Sequence, residues 1–173
     1  MRLRIAVAGA AALALAACAR LPLTEQQKAA LADSVTRYMA GPFAVALQHP
    51  TVERVMPLYA PGNDILVVDF GTIYAGRDTV TEANRQYWGH PGMTAHFTFT
   101  SPHVAVLNRD AAVFTAMVSL ALKDSAGVET PMRFAWTGVL VRVGGDWKVQ
   151  VEHSSLPPAP AAPTKPTGAA KRH

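Results

Sequence analysis

The apolar positions of this chain change period once, near Met93, and the change divides the chain into a helical part and a strand part. Leu31, Val35, Tyr38 and Met39 recur at spacings of four, three and one, the stripe of an amphipathic helix. Thr24 stands ahead of the stripe as an N-cap, and Gln27, three residues on, completes a capping box. Gly41-Pro42 is expected to stop or redirect this helix, because proline lacks an amide hydrogen and crowds the residue before it. A second helical stretch over 51–59 places Val52, Val55, Met56 and Tyr59 on one face and ends at Pro61-Gly62-Asn63. Ile65–Val68 then reads as a short buried strand. Tyr74-Ala75-Gly76 turns into a third helix bearing Val80, Ala83, Asn84, Tyr87 and Trp88, closed by Gly89 and Pro91.

From Met93 the period is two. Strands are expected over 93–107, 111–123, 128–143 and 146–154, joined by turns at Asn108-Arg109-Asp110, 124–127 and Gly144-Gly145. Helices followed by a long antiparallel meander predict an α+β fold, with three N-terminal helices packed on one face of a curved sheet. A two-residue loop at Gly144-Gly145 aligns Arg142 with Trp147, a cation–π pair, then Leu140 with Val149 and Trp136 with His153. Strict alternation thus carries His153 onto the same face as Val149 and Val151.

Composition agrees with a folded domain: 50% of residues are apolar and 16% charged. Residues 1–17 read as an export signal, with Arg2 and Arg4 ahead of an apolar run from Ile5 to Leu15. Leu15-Ala16-Ala17-Cys18 resembles a bacterial lipobox, which makes Cys18, the only cysteine, the expected acceptor of lipid. A lipid on Cys18 implies a membrane partner, and Ala19 in place of aspartate, by resemblance to Gram-negative lipoproteins, favours the periplasmic face of the outer membrane. Residues 18–23 form the anchor and linker, 24–156 the domain, and 157–173 a Pro/Ala-rich tail expected to be extended and disordered.

The formal charge of +4 does not indicate a nucleic-acid partner. Of the 16 basic residues, Arg2, Arg4, Arg20, Lys165, Lys171 and Arg172 lie in the leader, anchor or tail; the ten that remain face 12 acidic residues. The domain is left with no basic face to offset phosphate.

Three stretches carry a resemblance: LYAPGNDILVVDFGTIYAGRDTV (58–80), Tyr87-Trp88, and FAWTGVLVRVGGDWKVQVEHSS (134–155). In order and spacing they are similar to the SnoaL-like branch of the nuclear-transport-factor-2-like superfamily, which includes ketosteroid isomerases. The resemblance, over about 29–156, implies a cone in which the sheet curls around the helices and leaves a pocket at its open end. It also implies a possible homodimer through the sheet. The scaffold hosts isomerases, cyclases, dehydratases and pure binding or assembly domains, so the reaction has to be argued from the site.

Asp69 follows four apolar residues, where desolvation raises a carboxylate towards useful base strength, and it matches the general-base aspartate of ketosteroid isomerases. Arg37-Tyr38 resembles the segment bearing their oxyanion-stabilising tyrosine. Their later aspartate has no counterpart, since no acid occurs between Met132 and Val143, and His153 is the expected substitute. Trp136, Trp88 and Tyr74, together with Asp69 and His153, are expected to line a pocket for a small hydrophobic molecule. His49, His90, His96 and His103 have no metal-ligand spacing, and no cofactor is implied. The leading reading is a lipid-anchored binding domain without established catalysis. Acid/base isomerase, cyclase or dehydratase chemistry at Asp69, with Tyr38 or His153, is the alternative. An envelope assembly module acting through the sheet face is the second alternative.

Overall fold

The computed structural model describes residues 22–88 and 90–158. The export signal, the Cys18 acceptor and nearly all of the Pro/Ala tail lie outside the described residues. Helix α1 (Glu25–Tyr38) starts as its capping box dictates. The Gln27 amide donates to Thr24 Oγ1 at 3.2 Å, and the Thr24 amide donates to Gln27 Oε1 at 3.1 Å.

Gly41-Pro42 does not stop the helical path. Met39–Phe43 form a single π-helical turn, after which α2 (Ala44–Ala46) continues. The wider turn lets the proline ring clear the carbonyl it would strike in an α-helix. Phe43 and Leu47 are consequently buried against the sheet.

The second helical stretch is shorter than its apolar pattern predicts: α3 spans Val52–Val55, followed by a 3-10 turn at Met56–Leu58. Tyr59 and Ala60 are already extended against the sheet, with the Ala60 amide donating to the Val149 carbonyl at 2.8 Å. Strand β1 (Leu66–Asp69) pairs with β2 (Thr72–Ala75), a strand that the sequence pattern did not indicate. Phe70 and Gly71 join them, both with positive φ as a type I′ hairpin turn requires. Helix α4 (Arg77–Trp88) is fastened at its start by Arg77. The Arg77 amide donates to Asn63 Oδ1 at 2.7 Å, and its guanidinium reaches the carbonyls of Ala60 (2.9 Å) and Met56 (3.5 Å).

Strands β3 (Thr94–Asn108), β4 (Ala111–Lys123), β5 (Glu129–Val143) and β6 (Asp146–Ser155) form the long meander, close to the bounds read from alternation. The sheet order is β2-β1-β6-β5-β4-β3. It is mixed and not wholly antiparallel, because β1 runs parallel to β6. Helices cover its inner face, and Val35, Met39, Phe114, Val118, Leu140 and Val149 form the center of the core.

One irregularity decides what β6 presents to that inner face. The Gly144-Gly145 turn yields the expected pairs Arg142–Trp147 and Leu140–Val149, and the Arg142 guanidinium lies 4.8 Å from the Trp147 ring center. Beyond Val149 the register shifts by one, so that Val139 faces Val151. Gln150 is the extra residue of a β-bulge. The bulge lies where β6 changes neighbours, from the Tyr59-Ala60 segment to β1. Because side chains alternate with a period of two, one inserted residue turns every later side chain over. Trp136 therefore faces Ser154, and the pairing of Trp136 with His153 does not form. His153 faces Thr137 and is exposed. Glu152 takes the inward place.

Candidate functional site

The sheet and helices enclose a cavity of about 180 Å³. Its walls are Phe43, Leu47, Val55, Leu58 and Tyr59 from the helical layer, Val80, Ala83, Asn84, Tyr87 and Trp88 from α4, and some of the inner residues of every strand, β2 contributing Tyr74. Phe97 and Phe99 of β3 and Phe134 and Trp136 of β5 complete an aromatic lining, with Phe43 and Trp136 ring centers 5.8 Å apart. Phe70 and Tyr87 are partly exposed and form a rim, and Phe70 stands edge-on to Phe134 at 5.5 Å.

Two carboxylates enter this apolar space from adjacent parallel strands. Val67 and Asp69 of β1 lie beside Glu152 and Ser154 of β6, and all four point inward. Glu152 Oε1 accepts from the Tyr59 hydroxyl at 2.7 Å, and its Oε2 accepts from Trp136 Nε1 at 3.3 Å. Burial, helped by the nearby Asp69 charge, pushes the Glu152 carboxyl up to about 7 against the lowering effect of the Tyr59 and Trp136 donors. Tyr59 is held well above the usual phenol range by burial and by that same carboxylate, and Asn84 donates to its oxygen.

Burial also raises the Asp69 carboxyl, while the hydroxyls of Ser154 and Tyr87 donate to it and pull the other way. Tyr87 in turn is pushed up to about 12 by its hydrogen bond with Tyr74, by burial and by Asp69. The result is two hydrogen-bonded acids in one cavity. One is held by Tyr59 and Trp136, the other by Ser154 and Tyr87.

Asp69, Trp136, Trp88 and Tyr74, all expected at a pocket, line this cavity. His153 does not, for the register reason given above; its charge reaches Asp69 only from the outer face. Tyr38 also lies elsewhere. Its ring packs edge-on to Phe43 at 6.1 Å, and its buried hydroxyl has no hydrogen-bond partner. Burial and the charge of Asp146 push that phenol up to about 12. Neither residue can polarise a group beside Asp69.

The residues that sequence reasoning missed are Glu152, Tyr59, Ser154 and Tyr87 as polar cavity groups. Strict alternation from Trp147 hid Glu152 and Ser154, and only the bulge exposes them to the interior. Tyr59 and Tyr87 were read as apolar helix positions, and their burial gave no sign of what their hydroxyls would meet. Among the described residues no group of three or more His, Cys, Asp or Glu could hold a metal ion. No helix among them is long and apolar enough to cross a membrane.

A family model described as a SnoaL-like domain matches residues 37–160. Solved structures with the same fold include an NTF2-like family protein from Streptomyces avermitilis, at 20% identity and a TM-score of 0.65 over 76% of this chain and 99% of that one. An NTF2-like protein from Pseudomonas putida KT2440 is 20% identical with a TM-score of 0.60, over 75% of this chain and 89% of that one. The association domain of C. elegans CaMKII is 18% identical with a TM-score of 0.60, over 76% and 99%. At these identities the likeness is one of fold. The comparison with curated proteins gives no match.

Proposed function

The chain belongs to the SnoaL-like domain family, and from that premise we propose that its cavity binds a small, mainly apolar molecule that brings one polar group to the wall formed by Glu152 and Asp69. The observation that carries this reading is an aromatic-lined cavity of about 180 Å³ into which two hydrogen-bonded carboxylates point. Apolar walls supply affinity through burial, and a few fixed polar groups supply orientation. The test is to extract the purified protein and identify co-purified small molecules by mass spectrometry. A hydrophobic compound should be retained by the native chain and lost from Ala83→Trp, in which the new indole fills the cavity. Equal recovery from both proteins would refute the reading.

A second reading, proton-transfer catalysis, is favoured by the Glu152 carboxyl at about 7. A carboxyl poised near neutrality donates or accepts a proton readily at the pH of use. In this reading ionised Asp69 takes a proton from carbon next to a carbonyl, and protonated Glu152 donates to the developing oxyanion, in an isomerisation, cyclisation or dehydration. Asp69→Asn and Glu152→Gln should each abolish turnover, with activity falling as pH rises through about 7 and Glu152 loses its proton. Retention of full activity by either variant would exclude it.

Lipid attachment at Cys18 would hold this pocket at an envelope membrane. Cys18→Ser should then release the protein from membrane fractions and remove the lipid mass. The outer sheet face, with the half-buried Val113, Met117, Val139 and Val151 around the Thr115–Thr137 hydroxyl pair (2.8 Å), suits a second copy of the chain. Val139→Asp should shift a dimer to monomer in sedimentation.

A further inference from the structure

We infer that the molecule taken by this cavity is a cation, a small lipophilic amine bound as its ammonium form between the carboxylate of Glu152 and the aromatic wall. This inference rests on the binding reading above and adds the chemical class of the ligand.

Five of the polar donors at the cavity wall already have a protein acceptor. Tyr59 and Trp136 donate to Glu152, Ser154 and Tyr87 donate to Asp69, and the Asn84 amide donates to the Val80 carbonyl. Glu152 and Asp69 leave acceptor capacity open at the wall, because a carboxylate offers about four lone-pair sites and each acid has two protein donors. A ligand group that donates fills this capacity when the two acids are ionised.

Charge points the same way. Among the described residues lining the cavity there are two acids and no Lys, Arg or His. An anion entering would meet Glu152 and Asp69 with no counter-charge, in a setting where like charges are weakly screened. An ammonium would meet two opposite charges. The rest of the wall suits it as well, since cations are drawn to the faces of Trp, Tyr and Phe, and Trp136, Trp88 and Phe97 are among the rings present. An ammonium head at Glu152 with an apolar body against these rings uses both features of the cavity at once.

The pH behaviour follows from the groups that face Glu152. These are Tyr59 from the segment after α3, with Asn84 of α4 behind it, Trp136 of β5, and Asp69 of β1 as the neighbouring charge. An ammonium favours ionised Glu152, so its binding drives a proton off wherever that carboxyl is still protonated.

The test uses three probes of one shape: 2-phenylethylamine, 2-phenylethanol and phenylacetate, titrated calorimetrically into the full-length protein. The amine should bind about tenfold or more tightly than the alcohol at pH 7.5, and phenylacetate more weakly than either. Amine affinity should rise between pH 6 and pH 8 while that of the alcohol stays flat, and buffers of different ionisation enthalpy should reveal proton release below pH 7. In Glu152→Gln the preference for amine over alcohol should collapse while the alcohol still binds. The wild-type pH profile and proton release decide the matter even if that variant fails to fold. Alcohol or phenylacetate binding as tightly as the amine would overturn the cationic ligand and leave the binding pocket standing. Failure of all three probes to bind would overturn both.

Discussion

The ring of Trp136 lies directly over Gly138, so close that a β-carbon on the glycine would stand 2.2 Å from the edge of the indole. Gly138 is also the residue that faces Glu152 across β5 and β6. The empty side of the glycine is the space in which the indole turns to present Nε1 to the carboxylate.

Gly138→Ala should therefore displace Trp136 and break its bond to Glu152. Overpacking of this kind costs about 1–3 kcal/mol, read as a fall in the denaturation midpoint. The displaced indole should also change its emission and lose any response to the titration of Glu152. An alanine variant with native stability and native emission would show that the ring is not confined by this contact.

Glu152 makes stability depend on pH in a defined direction. Its carboxyl lies at about 7 in the folded protein against 4.5 for a free glutamate, so the native state binds more protons between those values. The stabilisation is present in full below about 4.5 and is lost as pH rises through 7. Between pH 5 and pH 8 the loss from this one group amounts to about 2–3 kcal/mol. Glu152→Gln should gain stability relative to the parent over that interval, as measured by urea denaturation. A constant difference between the two proteins at both pH values would contradict the raised carboxyl.

Arg77 ties the start of α4 to the segment that carries Tyr59, through the carbonyls of Ala60 and Met56. Arg77→Ala removes both donors and should cost about 1–3 kcal/mol. It should also weaken ligand binding, because Tyr59 loses the backbone support that holds its hydroxyl on Glu152. Calorimetry on the folded variant separates that effect from stability alone.

Tyr38 and His153 should behave unlike the cavity acids. Tyr38→Phe deletes a buried hydroxyl that has no partner, so stability should be unchanged or higher by up to about 1 kcal/mol. His153→Ala alters an exposed side chain and should stay within about 0.5 kcal/mol of the parent. Ligand affinity in both variants should match the parent; a loss in either would return that residue to the site.

Much of the fold was legible along the chain because its causes are local. The Thr24 capping box, the apolar stripe of α1 and the alternation of β3 to β6 each follow from side-chain period and nearby hydrogen bonds. The two positive-φ glycines at 144 and 145 also act locally, and they gave the correct pairing as far as Val149. Asp69 was legible for the same reason, as an acid at the end of a run of apolar residues. Pro42 misled because its effect is decided by whether the next turn can widen, and the reward for widening, burial of Phe43 and Leu47, lies on another element.

What the sequence determined by itself is thus an α+β domain of the SnoaL-like kind with Asp69 and several aromatic residues on its inner side. What only the tertiary structure decided is which residue joins Asp69 there. β6 must first meet Tyr59-Ala60 and then β1, and the bulge at Gln150 accommodates that change of neighbour. A period of two has no memory of an inserted residue, so one bulge sends His153 to the outer face and brings Glu152 into the cavity. Local alternation cannot signal this, because its cause is a pairing between segments far apart in the chain.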